Sequence, residues 1–119
     1  MKKKSAKSFT NLFVWQKAHS FVLKVYEFTN QFPSDEKFGL TSQLRRCAVS
    51  VAANVAEGYK KRSKKDNARF LNIAQGSLQE SKYYLILAKD LGYGEDNLLY
   101  DQLDEVGRLL ESYYQTLIK

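Results

Sequence analysis

The sequence is short of the residues that staple, kink or metallate a protein. It has one cysteine, one proline, one methionine, one tryptophan and one histidine in 119 residues. The lone Cys47 rules out an intramolecular disulfide, and its place in an apolar run suits a buried thiol in a reducing compartment. An intermolecular disulfide or a reactive thiol is the alternative. With His19 the sole histidine, neither a His/Cys metal cluster nor a convincing Cys–His pair can be built, so no metal or other cofactor is expected. No arginine precedes His19, which excludes the Arg-x4–6-His motif of small helical ribonucleases. Acidic pairs such as Asp104 and Glu105 are adjacent on a helix and point different ways, as solvated surface does. The expectation is a protein that is not an enzyme.

Long apolar runs are missing too. The start Met1-Lys2-Lys3-Lys4 resembles the charged end of a signal peptide, but Lys17, His19 and Lys24 interrupt what would be its apolar core. No stretch approaches the ~20 apolar residues of a membrane span. A cytoplasmic protein without membrane contact is expected.

What is present is charge, unevenly spread. The formal net charge is +6, yet residues 1–69 carry fifteen Lys/Arg against five Asp/Glu and residues 70–119 carry four against eight. Such a split can orient an anionic partner or help subunits associate. A chain of this length suits one domain, whose folding hides roughly two-thirds of the unfolded surface without a metal or disulfide staple.

Residues 1–10 read as a disordered basic tail and 11–119 as one helical domain. A first helix is expected from Leu12 to Gln31, with Trp15, Val22, Tyr26 and Thr29 along one face. Pro33 ends it and Gly39 permits the following turn. A second helix is expected from Thr41 to Lys61. Ser63 is placed to cap a third, with Asp66 able to complete a capping box. Leu71, Leu78 and Leu85 then recur every seven residues toward Leu91, and Gly92 and Gly94 break the chain. A fourth helix is expected from Glu95 to Ile118, its stripe formed by Leu99, Leu103, Val106, Leu110, Tyr113 and Leu117. Short turns between four helices favour an all-α, antiparallel, up-down-up-down four-helix bundle.

The second helix is apolar on two sides. At 100° per residue, Leu44, Cys47, Val51 and Val55 form a core stripe, while Val49, Ala53 and Ala56 fall opposite. With Ala52 they are the candidate face for a second subunit, small enough for close approach. The alternative is that the N-terminal tail or a loop covers them.

Several blocks carry a family resemblance: Val14-Trp15-Gln16-Lys17-Ala18-His19, Phe38 through Arg46, Asn54-Val55-Ala56-Glu57-Gly58, Ala74-Gln75-Gly76-Ser77-Leu78 and Ala88 through Tyr93. In this order the chain resembles the four-helix bundle proteins encoded within intervening sequences of bacterial 23S rRNA genes, also labelled S23 ribosomal proteins. The resemblance runs from Phe9 to Tyr114. It departs at Ala52, where the family often has proline, which removes the reason for a helix kink there. The resemblance implies a ring-like homopentamer. It also implies kinship with a protein that accompanies diversity-generating retroelements, binds nucleic acid and partners a reverse transcriptase. For most of the family it implies no assigned molecular function.

The strongest local feature is Lys60-Lys61-Arg62-Ser63-Lys64-Lys65, with Arg69 one turn on. Lys60, Lys61 and Arg62 close the second helix, where cations complement the dipole without any ligand. Lys64 and Lys65 open the third helix, where each opposes the dipole by ~0.3–1 kcal/mol. A locally unfavourable choice at a phosphate-friendly helix start points to anion binding, against the alternative of a merely solvated basic loop. The tail lysines Lys2, Lys3, Lys4 and Lys7 add reach. Arg45 and Arg46 either join this surface or pair structurally with acids such as Glu57 or Glu80, the second being favoured. Asn54 is expected to be a hydrogen-bonded structural polar residue, with Glu57 on the same flank. The tyrosine pairs at 83–84 and 113–114 suit packing better than base stacking. Two functions remain open: an oligomeric scaffold binding RNA or DNA without strong sequence preference, or an interaction module whose basic surface meets an acidic protein. A nucleic-acid hydrolase is a third, weaker reading.

Overall fold

The computed structural model describes residues 8–119, which form four helices: α1 (Phe13–Thr29), α2 (Leu40–Tyr59), α3 (Lys64–Asp90) and α4 (Asn97–Ile118). No strand occurs among the described residues. Each helix packs on its sequence neighbours, and α1 also packs on α4, closing a four-membered ring. Cross-helix contacts fix the directions. Arg45 of α2 bonds to Thr29 of α1 and Cys47 to Ser77 of α3, while Gln75 bonds to Glu111 of α4 and Lys17 faces Glu105. Second contacts (Phe9 beside Ala56, Gly58 against Asn67, Asn67 to Tyr113, Gln31 beside Gly94) show one number falling as the other rises, so the bundle runs up-down-up-down, in a rod of 52 × 27 × 22 Å. No helix is long and apolar enough to cross a membrane.

Local chemistry sets the helix ends. Ser8 accepts the Thr10 N–H (3.2 Å) and opens a short 3-10 helix, Phe9–Asn11, ahead of α1. Helix α1 stops at Thr29, two residues before the expected Gln31, and Phe32 turns back into the core. The α2 start is tied by Glu36, whose Oε1 accepts the Leu40 N–H (2.8 Å) while its Oε2 accepts the Tyr93 hydroxyl (2.7 Å). A Cβ at Gly39 would collide with that same carboxylate, which explains the glycine. Helix α2 is unbroken through Ala52. Ser63 caps α3 by accepting the Asp66 N–H (3.0 Å), but the Asp66 carboxylate faces Arg69 instead of completing a capping box. Helix α3 ends in a Schellman motif: Gly92, at φ +79°, donates to Lys89 O, and Tyr93 donates to Ala88 O. Asp96 caps α4 through the Leu98 N–H, leaving Glu95 outside the helix.

The core stripe of α1 is Val14, Ala18, Phe21, Val22, Val25, Phe28 and Thr29. Trp15 is only half-buried and Tyr26 is exposed, because both lie on the flank of that stripe. On α2, Leu44, Cys47, Val51 and Val55 are buried as expected. Leu71, Leu78 and Leu85 are buried on α3, whereas Leu91 lies past the helix end and is exposed. On α4, Leu99, Leu103, Val106 and Leu110 are buried, with Tyr113 and Leu117 packed against them. Helices α2 and α3 approach closely at Gly58, where an added Cβ would sit 2.7 Å from Asn67 Oδ1 and 3.0 Å from Phe70 Cβ.

Candidate nucleic-acid interface

The antiparallel wiring brings the end of α2, the start of α3, the end of α4 and the 3-10 helix to one end of the rod. The α2–α3 connection there is tight. Lys60 N–H donates to Glu57 O, Lys61 N–H to Gly58 O, and Ser63 then caps α3. With so little backbone between them, six cationic side chains crowd the connection and the first two turns of α3: Lys60, Lys61, Arg62, Lys64, Lys65 and Arg69. All six are exposed.

They are not equivalent. Lys61 Nζ lies 4.8 Å from the centroid of the Phe70 ring and the Arg69 guanidinium 5.0 Å from it, so both cations share one aromatic ring. Arg69 also reaches Asp66 at 3.7 Å. Lys60, Arg62, Lys64 and Lys65 have no carboxylate or ring partner among the described residues. Of these, Lys64 and Lys65 stand against the α3 dipole, which Asp66 in the same first turn offsets only in part. Lys2, Lys3, Lys4 and Lys7 lie outside the described residues.

Arg45 and Arg46 are not part of this cluster. They sit near the other end of α2, about 22 Å from Lys60 at 1.5 Å per residue. Arg45 is structural, but its partners are neutral. Its guanidinium donates to Thr29 Oγ1 (2.7 Å), Asn30 Oδ1 (3.2 Å) and Tyr26 O (3.4 Å), and it lies 4.6 Å from the Tyr26 ring centroid. Arg46 is exposed, and neither arginine meets Glu57, Glu80 or another carboxylate among the described residues. The expected ion pairs fail because both glutamates lie elsewhere: Glu80 accepts from the Tyr84 hydroxyl (2.8 Å), and Glu57 is exposed near the 3-10 helix. Glu57 is therefore not a structural polar residue inside the bundle. Asn54 is half-buried, and its Nδ2 donates to Ser50 O (2.8 Å) and Ser50 Oγ (3.0 Å), while the Ser50 hydroxyl meets that of Ser77 on α3 (2.8 Å).

Of the four residues expected at a subunit interface, Ala52 is 8% exposed and packs in the core, seven residues along α2 from Arg45 and so on the flank that meets Thr29 of α1. Val49 is 40% exposed, Ala53 is exposed and Ala56 half-buried. Ser8 and Phe9 border a groove with Ala53 and Ala56, so the N-terminal segment flanks the lower part of this face while Val49 stays open. Beside it on α1, Trp15 stacks on His19 (4.9 Å, 7°) and meets Phe9 edge-on (5.1 Å). The only histidine is thus one member of an aromatic stack.

Cys47 Sγ donates to Ser77 O (2.9 Å), and burial pushes its thiol up to about 11, far from thiolate at neutral pH. No group of three or more His, Cys, Asp or Glu able to hold a metal occurs among the described residues. Two features had no counterpart in the sequence reading: the Glu36–Tyr93 clasp, and Phe38, which is 88% exposed beside Lys37 at the opposite end. Phe38 and Tyr93 fall in Phe-Gly-Leu and Gly-Tyr steps, but Glu36 lies outside both, and neither spacing nor periodicity ties it to Tyr93 across 57 residues.

The geometry defines a class: an antiparallel helical bundle with a cation cluster at one pole. Residues 10–112 match the family model of the 23S rRNA-intervening sequence proteins, and the chain belongs to that family. The fold is similar to the crystal structure of a protein of unknown function from the S23 ribosomal protein family of Bacteroides thetaiotaomicron VPI-5482. The TM-score is 0.76 at 24% identity, over 86% of this chain and 95% of that one. No curated protein matches the sequence.

Proposed function

We propose that the protein is a non-enzymatic, cytoplasmic scaffold that self-associates and binds nucleic acid, without strong sequence preference, through its basic end. The observation that carries this reading is the exposure of Lys60, Arg62, Lys64 and Lys65 around one connection, none of them within 4 Å of a carboxylate among the described residues. One such turn touching about 4 phosphates binds weakly, with a log–log salt slope of about −3 to −4. Association therefore matters. The open face around Val49 and Ala53, beside the Trp15–His19 stack, is the surface offered to a second copy. The homopentamer implied by family resemblance would carry five basic ends and a formal charge of +30, five times +6. Simultaneous contacts would then raise affinity well above that of one copy.

The test is binding to a mixed RNA pool across a salt series, beside a variant with Lys60, Lys61, Arg62, Lys64 and Lys65 changed to Gln. The expected result is a steep salt slope and loss of binding in the variant. Binding indifferent to both salt and the five changes sinks the proposal. A partner that persists on the wild-type protein after nuclease treatment, and is lost from the variant, favours the acidic-protein reading instead. Light scattering with and without nuclease reports the subunit number.

A further inference from the structure

Beside the basic turn, α3 and α4 part to leave an open groove of about 470 Å³. One wall carries Lys65, Asp66, Arg69 and Asn72 on successive turns of α3; the other carries Tyr114 and Leu117 of α4. Tyr114 is half-buried, with its inner side against the core and its outer side open to the groove. This is a mixed surface: an aromatic ring and an aliphatic side chain at the base, cations at the rim, and an amide and a carboxylate between them.

Resting on the reading of the basic end as a nucleic-acid surface, we propose that this groove seats an unpaired base of single-stranded RNA against Tyr114. A duplex keeps the faces of its bases stacked inside, so its phosphates could meet the exposed lysines but no base face could reach Tyr114. A single strand also offers π-faces, and base–aromatic stacking is tolerant of sequence. Lys65 stands at the rim where a flanking phosphate would run, continuous with Lys60, Arg62 and Lys64, while Arg69 holds one Asp66 oxygen at 3.7 Å and leaves the other open. Asp66 decides between the two nucleic acids. A carboxylate in an anion-binding groove repels phosphate, but it accepts a hydrogen bond from a ribose 2′-hydroxyl, a donor that DNA lacks. Asn72 presents both a donor and an acceptor to a base edge.

The experiment measures binding of the full chain to a mixed-sequence 12-nucleotide RNA, the same sequence as DNA, and the RNA annealed to its complement. The expected result is tightest binding to single-stranded RNA. Tyr114→Leu should weaken that binding by about 5- to 100-fold, duplex binding should stay unchanged, and Tyr114→Phe should behave as wild type. Photo-crosslinking of the wild-type protein to 4-thiouridine RNA requires no folded variant, and should place the adduct within residues 112–118. Three results overturn the proposal: duplex or DNA bound as tightly as single-stranded RNA, Tyr114→Leu binding as wild type, or adducts confined to other segments. If the wild type binds none of the three probes, the parent reading has failed as well, which separates the two outcomes.

Discussion

Replacing Gly58 by alanine tests the packing that holds the basic turn in place. In an exposed helix interior the change stabilises by ~1 kcal/mol, because glycine loses more backbone freedom on folding. At Gly58 the new methyl would meet Asn67 Oδ1 at 2.7 Å, Phe70 Cβ at 3.0 Å and the Asn67 carbonyl oxygen at 3.2 Å. The amide can swing aside, but its Nδ2 bond to the Tyr113 hydroxyl (3.2 Å) would be lost, at about 0.5–1.5 kcal/mol. The other two atoms yield only if α3 moves by a few tenths of an ångström, and overpacking of that kind costs about 1–3 kcal/mol. Set against the helical gain, the net is a destabilisation of about 1–3 kcal/mol and a fall in Tm of roughly 4 °C or more. Gly76 is the internal control. A Cβ there meets nothing within 4 Å, so Gly76→Ala should raise stability by ~0.5–1 kcal/mol. Thermal melts by circular dichroism and urea titrations of both variants give the answer. If Gly58→Ala is as stable as Gly76→Ala, the close approach of α2 and α3 is not what requires the glycine.

Two further outcomes follow from the side-chain chemistry. The Leu40 N–H, and then the Tyr93 hydroxyl, hold the Glu36 carboxyl below its ordinary 4.5. Its contribution to stability is therefore present above pH 4.5 and lost as pH falls through the depressed folded value. Acid melts between pH 6 and pH 3 should show wild type losing more Tm than Glu36→Gln, and equal losses would contradict the clasp. Cys47, with its thiol pushed up to about 11 by burial, should react with a thiol-specific disulfide reagent at pH 8 only after urea unfolds the chain. Rapid labelling of the native protein would refute that reading.

Sequence periodicity located all four helices and most of the core because apolar residues at 3.6-residue spacing have one place to go. It placed Ser63 as a cap correctly, since capping is a local effect. It erred where neighbours decide. Tyr26 and Trp15 fit the helical spacing of α1, yet fall on the flank of its stripe, while Phe21 fills the centre. Ala52 is apolar and small like Ala53, and only the position of α1 turns one inward and leaves the other outside. The cation cluster was legible as a run of letters. That Lys61 and Arg69 lean on Phe70 depends on side-chain conformation at the connection, and that Arg45 binds neutral oxygens far from it depends on reach across to α1; no spacing encodes either.

An even number of helices returns the backbone to the end where it started. Ser8 and Lys119 therefore flank the turn that carries Lys60–Lys65, while the connection at 91–96 and the turn after Pro33 occupy the far pole. A purification tag or fluorophore fused directly after α4 would crowd the cationic turn, and an acidic tag would compete there with phosphate. A label placed after Pro33 or among residues 94–96 would leave that pole clear. Immobilisation chemistry for binding measurements on this bundle should be chosen accordingly.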